Sequence, residues 1–182
     1  EGIQQGQVYL IKAGDKETMD SAKIENGHFT YETTLQEPTV YMINFGANEQ
    51  PVFAILEAGN MSLEYQSNSM NSFAIHGGKE QDIYNTFITS CKPIFASMDS
   101  LSQIAEAHQE DEEFMIAMQS KFTSYDSMLK SKQRNFIESN PTSYGAAFVA
   151  VNFVNSMEEK SVSDIESIYK KLDAKVQQSY YG

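Results

Sequence analysis

Cysteine is nearly absent: Cys91 stands alone in a chain of 182 residues. That excludes a disulfide within the chain, a Cys-x-x-Cys redox pair and a cysteine-rich zinc site. Basic charge is also scarce. Lys and Arg number 13 against 25 Asp and Glu, a net charge of −12. A chain of that sign repels phosphate backbones and anionic lipid headgroups, so no nucleic-acid partner is expected. No apolar run reaches the ~20 residues that span a bilayer, so no transmembrane segment is expected. The opening "EGIQQGQVYL" begins on Glu1 and lacks the basic-then-apolar layout of a signal peptide, so it reads as a processed or trimmed start.

Motifs that announce a reaction are missing too. There is no H-E-x-x-H zinc motif and no G-x-S-x-G nucleophile elbow. "HGGKEQ", residues 76–81, is glycine-rich but is neither G-x-G-x-x-G nor a P-loop, because no Ser or Thr follows its lysine. A strand-to-helix turn requiring positive φ is the expected reason for Gly77 and Gly78. The histidines His28, His76 and His108 show no i, i+4 pair, and surface or cap roles are expected for them. The acidic run Glu110, Asp111, Glu112, Glu113 lacks the alternating spacing and glycine of an EF-hand loop. It reads as a solvated first turn of a helix. No catalytic, cofactor-binding or metal-binding residue is assigned, no cofactor is expected, and the chain is not expected to be an enzyme.

What is present is a change of period. A chain of this length buries roughly 70% of the surface it exposes when unfolded, enough for a real core. Over the first 77 residues the pattern is that of strands. "GQVYLIK" alternates, Asn26-Gly27 suits a type I′ hairpin turn between Ile24 and Phe29, and "TVYMINF", "PVFAILE", "MSLEYQ" and "SFAIHG" follow, separated by turn residues. About seven short strands are expected, as an antiparallel β-sandwich or curled sheet. From residue 78 to 182 the apolar residues recur at helical steps. Ile83, Phe87, Cys91, Ile94, Met98 and Leu101 form one stripe, in which Pro93 bends the helix or starts a second piece. Phe114, Met118, Phe122, Tyr125, Leu129 and Phe136 form another, on a helix of about 27 residues or ~40 Å.

These two helices make a long hairpin. Asn140 and Pro141 are expected to open a third helix, apolar on nearly every side from Tyr144 to Val154. Ser163 and Glu166 fit a capping box ahead of a last helix. Its buried stripe is expected to be Ile165, Ile168, Tyr169, Leu172 and Val176, with Gly182 at its C-cap. The fold class is therefore α+β: an antiparallel β domain over 1–77, then a helical bundle over 78–182. Cys91 lies on a buried stripe and is expected to behave as a small hydrophobe. The aromatic residues are mostly core, except Tyr180 and Tyr181 near the end.

The order of these features resembles a bacterial arrangement. Gly6, Val8 and Leu10 open a G-x-V-x-L strand, Asp20-Ser21 precedes a strand, and Asn26, Gly27 and Phe29 form an N-G-x-F hairpin. "FAILEAGNMSLEY", "IHGGKEQDIYNTF", "NFIESNPTSYGAAFVAVNF" and the closing "YKKLDAKVQQSYYG" complete the likeness. The stretch resembles the N-terminal domain of unknown function that precedes the thioredoxin-like domain in bacterial envelope thiol:disulfide interchange proteins. The resemblance implies a non-catalytic accessory module, located in the periplasm or cell envelope, with a lipid anchor as one way of holding it there. It further implies a thioredoxin-like domain beyond Gly182, and a homo-oligomer or an envelope protein as partner. No redox residue can be carried over, because no matching position exists. Two other readings stand beside it. One is a stand-alone envelope protein binding a peptide, glycan or lipid-like ligand. The other is a hydrolase with a site assembled from distant residues.

Overall fold

The computed structural model of the chain describes residues 3–14, 19–46, 49–66, 73–157 and 159–181. Six strands come first: β1 (Gln5–Lys12), β2 (Met19–Glu25), β3 (Thr39–Asn44), β4 (Val52–Leu56), β5 (Ser62–Tyr65) and β6 (Phe73–His76). Five helices follow: α1 (Lys79–Glu106), α2 (Glu112–Ser139), α3 (Tyr144–Asn155), α4 (Val162–Tyr169) and α5 (Ala174–Gln177). The chain forms two compact units, Glu1–Tyr84 and Asn85–Gly182, so the division falls within α1.

In the first unit, β2-β1-β3-β4 make one antiparallel sheet and β5-β6 a second. Register decides which residues share a face. Val8 lies opposite Ala22, Leu10 opposite Ile43, and Tyr41 opposite Ala54. Because side chains alternate with period two, that set faces one way together. The result is a core of Val8, Leu10, Ile24, Ile43, Ala54 and their neighbours, against which Leu63, Tyr65 and Phe73 of the smaller sheet also pack. Burying one such side chain stabilises by roughly 1.5–3 kcal/mol.

The opposite face carries Val40 and Ile55, paired across β3 and β4 and fully buried. β4 ends the sheet among the described strands. An edge N–H that is buried without a partner would be costly. Here the Ile55 N–H donates to Gln81 Oε1 at 2.6 Å, from the first turn of α1, and Gln81 is only 1% exposed. Next to it the Glu80 N–H donates to Glu57 Oε1 at 3.1 Å. A carboxylate there satisfies a helix-start donor and meets the positive end of the helix dipole.

The turn between β6 and α1 corrects one expectation. Gly77 has φ +92°, and a Cβ there would lie 2.4 Å from the Asn60 carbonyl oxygen. Gly78 does not need a positive φ. A Cβ on it would meet Glu57 Oε1 at 2.6 Å, so its smallness serves the close approach of that carboxylate.

The Asn26-Gly27 turn forms, with φ of 52° and 78°. Glu25 and His28 exchange both of their backbone hydrogen bonds across it. The expected strand beyond it does not form. Residues 29–35 run without turn or bend, yet have no ladder partner among the described residues. Instead β2 pairs along β1. The segment leaves β2 because Phe29, Tyr31 and Leu35 pack onto the apolar face of the sheet, a greater gain than extending a two-stranded ribbon.

In the second unit, Phe87, Cys91, Ile94, Leu101 and Ala105 are the buried stripe of α1. The helix runs through Pro93 without starting a second piece. Thr89 and Pro93 are both exposed, so the carbonyl that loses its donor lies on the solvent side. α2 spans 28 residues, with Asp111 as N-cap accepting from the Phe114 N–H. Phe87 of α1 stacks on Phe136 of α2 at 4.7 Å between ring centroids.

Helix boundaries after α2 shift from expectation. Asn140 ends α2 rather than starting α3: its N–H and side-chain Nδ2 both donate to the Phe136 carbonyl. Ser143 caps α3, accepting from the Gly145 and Ala146 N–H groups. Residues 143–150 are buried without interruption. The capping box ahead of α4 is Ser161 with Asp164, not Ser163 with Glu166. A second cap, Asp173, begins α5. Of the expected stripe, Ile168, Leu172 and Val176 are buried, while Ile165 and Tyr169 are exposed at 41% and 42%. Gly182 lies outside the described residues.

The register of the α4 cap is testable. Ser161→Ala is expected to cost about 1 kcal/mol of stability, typical for loss of an N-cap oxygen. Ser163→Ala should cost much less. Urea denaturation of the two variants checks this, and the reverse order would restore the Ser163 register.

Candidate functional site

The residues that sequence reasoning singled out do not gather in one place. His28 lies at the β2 turn and His76 at the end of β6, both exposed. His108 follows α1, its ring Nδ1 2.9 Å from the Ile104 carbonyl oxygen and stacked on Phe114. Glu110, Asp111, Glu112 and Glu113 are exposed around the start of α2. Among the described residues, no three His, Cys, Asp or Glu side chains come together as metal ligands would.

Cys91 is fully buried on α1. Its Sγ lies 3.9 Å from Ser90 Oγ. Burial pushes the thiol pKa upward, against smaller lowering effects of Ser90 and Lys132. A thiol in that setting is a poor nucleophile. Tyr181 sets the edge of its ring against Phe148, and Tyr180 sets its ring against Tyr181. The first of the two is thus tied to α3, while Tyr180 remains 45% exposed.

The geometry that sequence reasoning did not find is a groove in the β unit, with a volume of about 860 Å³. Its floor is Leu10, Ile24, Ile43, Phe45, Ala54 and Ile75. One wall is residues 27–35 and the other residues 56–63. A volume of that order matches pockets that hold small ligands or short chain segments. Among the described residues, Glu32, Glu57 and His28 line it, and no Lys or Arg does.

Two tyrosines brace the groove. Tyr65 donates to Glu49 Oε2 at 2.6 Å and stacks on Phe45 at 4.1 Å between centroids. Burial, then the bond to the Glu49 carboxylate, pushes its phenol up to about 12. Burial also raises the Tyr41 phenol, assisted by the hydroxyl of Tyr31 from the wall segment. The only hint in the sequence was the alternation of Phe29, Tyr31 and Leu35 with polar residues. It read as a strand and gave no sign of a wall.

The thiol shift has a measurable consequence. A thiol whose folded pKa lies above the unfolded value of 9.0 favours the folded chain at lower pH, and that contribution fades as pH climbs past the unfolded value. Stability above pH 9 should therefore fall more steeply in the wild type than in Cys91→Ala, measured by urea denaturation across pH. A thiol reagent should label Cys91 far more slowly in the native chain than in denaturant. Equal labelling rates would contradict its burial.

Comparison with known proteins reaches the β unit alone. Residues 1–84 match the model of a family described as Domain of unknown function (DUF4369). No curated protein and no solved structure matches the chain. The sequence is thus similar, over the stretch containing β1–β6 and the groove, to a domain of unknown function.

Proposed function

We propose that this chain is a non-catalytic interaction module of a bacterial cell-envelope thiol:disulfide interchange protein, working by self-association or by presenting a partner. The observation that carries the association is on α2. Ile116 is 70% exposed, beside a hollow of about 520 Å³ lined by Met115, Met118 and Phe122. An exposed apolar side chain that continues into an apolar hollow makes a patch, and contiguous patches rather than scattered residues mark protein contacts. Ile104 on α1 and Met128 on α2 are open as well. No helix among the described residues is long and apolar enough to cross a membrane. The likeness of residues 1–84 to a domain of unknown function supports the modular part of the reading. The redox parent rests on the order of motifs in the sequence.

A second reading, an envelope binding protein for a peptide, glycan or lipid-like ligand, is favoured by the groove of the β unit. The two readings use different units and are compatible.

In sedimentation at micromolar concentrations the chain should associate, and Ile116→Asp should return it to monomer with unchanged helix content by circular dichroism. A chain that stays monomeric at hundreds of micromolar sinks the self-association reading. A coding sequence that runs on past Gly182 into Cys-x-x-Cys supports the redox parent, and a stop codon there removes it.

A further inference from the structure

We infer that the chain associates head to tail, the tip of the α1–α2 hairpin of one copy seating on the exposed face of α4 of the next. This deepens the self-association reading and rests on it. Two apolar faces of the helical unit carry the contact. The first is the hairpin tip, where Ile116 stands open beside the hollow of Met115, Met118 and Phe122. The second is on α4. Val162, Ile165 and Tyr169 recur at steps of three and four, so they share one side of the helix. They are 74%, 41% and 42% exposed, and Ile168 is the buried residue of this helix. Three neighbouring apolar side chains on one helix face make a strip rather than scattered residues.

Charge decides which surface meets which. Glu106, Glu110, Asp111, Glu112 and Glu113 surround the hairpin turn, with His108 as the one basic side chain among them. Glu112 lines the hollow itself. Two tips brought together would set these acids against their own copies, so tip on tip is disfavoured. From Lys160 to Lys175 four lysines stand against three acids, the reverse of the balance in a chain of net charge −12. Lys170 pairs with Glu166 at 2.6 Å and Lys171 pairs with Glu138, both at the solvent surface, where such pairs are weak. An apolar tip with an acidic rim and an apolar helix face flanked by lysines are complementary in both respects.

The two faces lie far apart within the unit. Lys171, just past α4, is held at Glu138, about 33 Å farther along α2 than Ile116. One copy therefore offers both faces at once, and neither covers the other. Such a contact joins unlike surfaces, so repetition extends it into a ring or an open row of copies.

Analytical ultracentrifugation of the full 182-residue chain tests this with complementary variants. Ile116→Asp spoils the tip and leaves α4 whole. Val162→Asp, at the first position of α4 where an acid suits the helix N-terminus, spoils the α4 face and leaves the tip whole. Each is expected to weaken association about tenfold or more and to sediment as monomer at micromolar concentration. An equimolar mixture of the two, one labelled at its N-terminus, is expected to form a 1:1 dimer and nothing larger, because one sound tip and one sound α4 face remain. Ile165→Asp should behave as Val162→Asp does. Circular dichroism checks that all three keep the wild-type helix content.

A mixture that stays monomeric overturns the head-to-tail contact. So does an Ile116→Asp chain, or a Val162→Asp and an Ile165→Asp chain, that associates as the wild type does. If the α4 variants associate and Ile116→Asp does not, self-association through α2 stands and joins like surfaces. A wild-type chain that stays monomeric at hundreds of micromolar removes both readings.

Discussion

The β unit depends on one buried hydrogen bond. The edge strand β4 presents the Ile55 N–H into a dry place, and Gln81 Oε1 accepts it at 2.6 Å. Without that acceptor the Val40–Ile55 pair would be buried next to an unsatisfied donor, and the cost of such a group rivals the gain from burying a side chain. The same helix turn holds the Glu57 carboxylate against the Glu80 N–H. That carboxylate is why Gly78 has no room for a side chain. One turn of helix therefore fixes the end of a sheet and the strand-to-helix corner, and it anchors Glu57, a residue of the second groove wall.

The groove follows from a competition on the other face of that sheet. After the turn at Asn26-Gly27 the chain had two options. It could pair on along β2, or lay Phe29, Tyr31 and Leu35 across the apolar surface of β1 and β3. The second option hides apolar area and leaves backbone groups to the solvent, where water serves them at little cost. The consequence is an extended segment without ladder bonds that covers the aliphatic core of the sheet.

The helical unit solves a different problem. Residues 143–150 are buried without a gap, built from Gly145, Ala146, Ala147 and Ala150 so that neighbouring elements can come close. The hairpin of α1 and α2 covers itself through Phe87 and Phe136, yet leaves Ile116, Ile104 and Met128 in water. A stripe two or three residues wide can be closed by one neighbouring helix. These three residues lie off that stripe.

How much of this was legible varied with the range of the interaction. The period change near residue 77, the six strands that formed, the two long helices and the burial of Cys91 are consequences of side-chain spacing, a local property that the sequence carries in full. Caps were half legible. Ser, Asn and Asp abound between residues 140 and 173, and the choice of Ser143, Ser161 and Asp173 over Asn140 and Ser163 was made by where each helix packs. The "FTYETTL" stretch alternates as a strand does, but a ladder needs a second backbone at the right distance. Whether one is there is a fact of the folded chain. Spacing settled which residues are apolar on one side; only the tertiary structure settled what that side would rest on, and it left residues 29–35 extended, packed and unpaired.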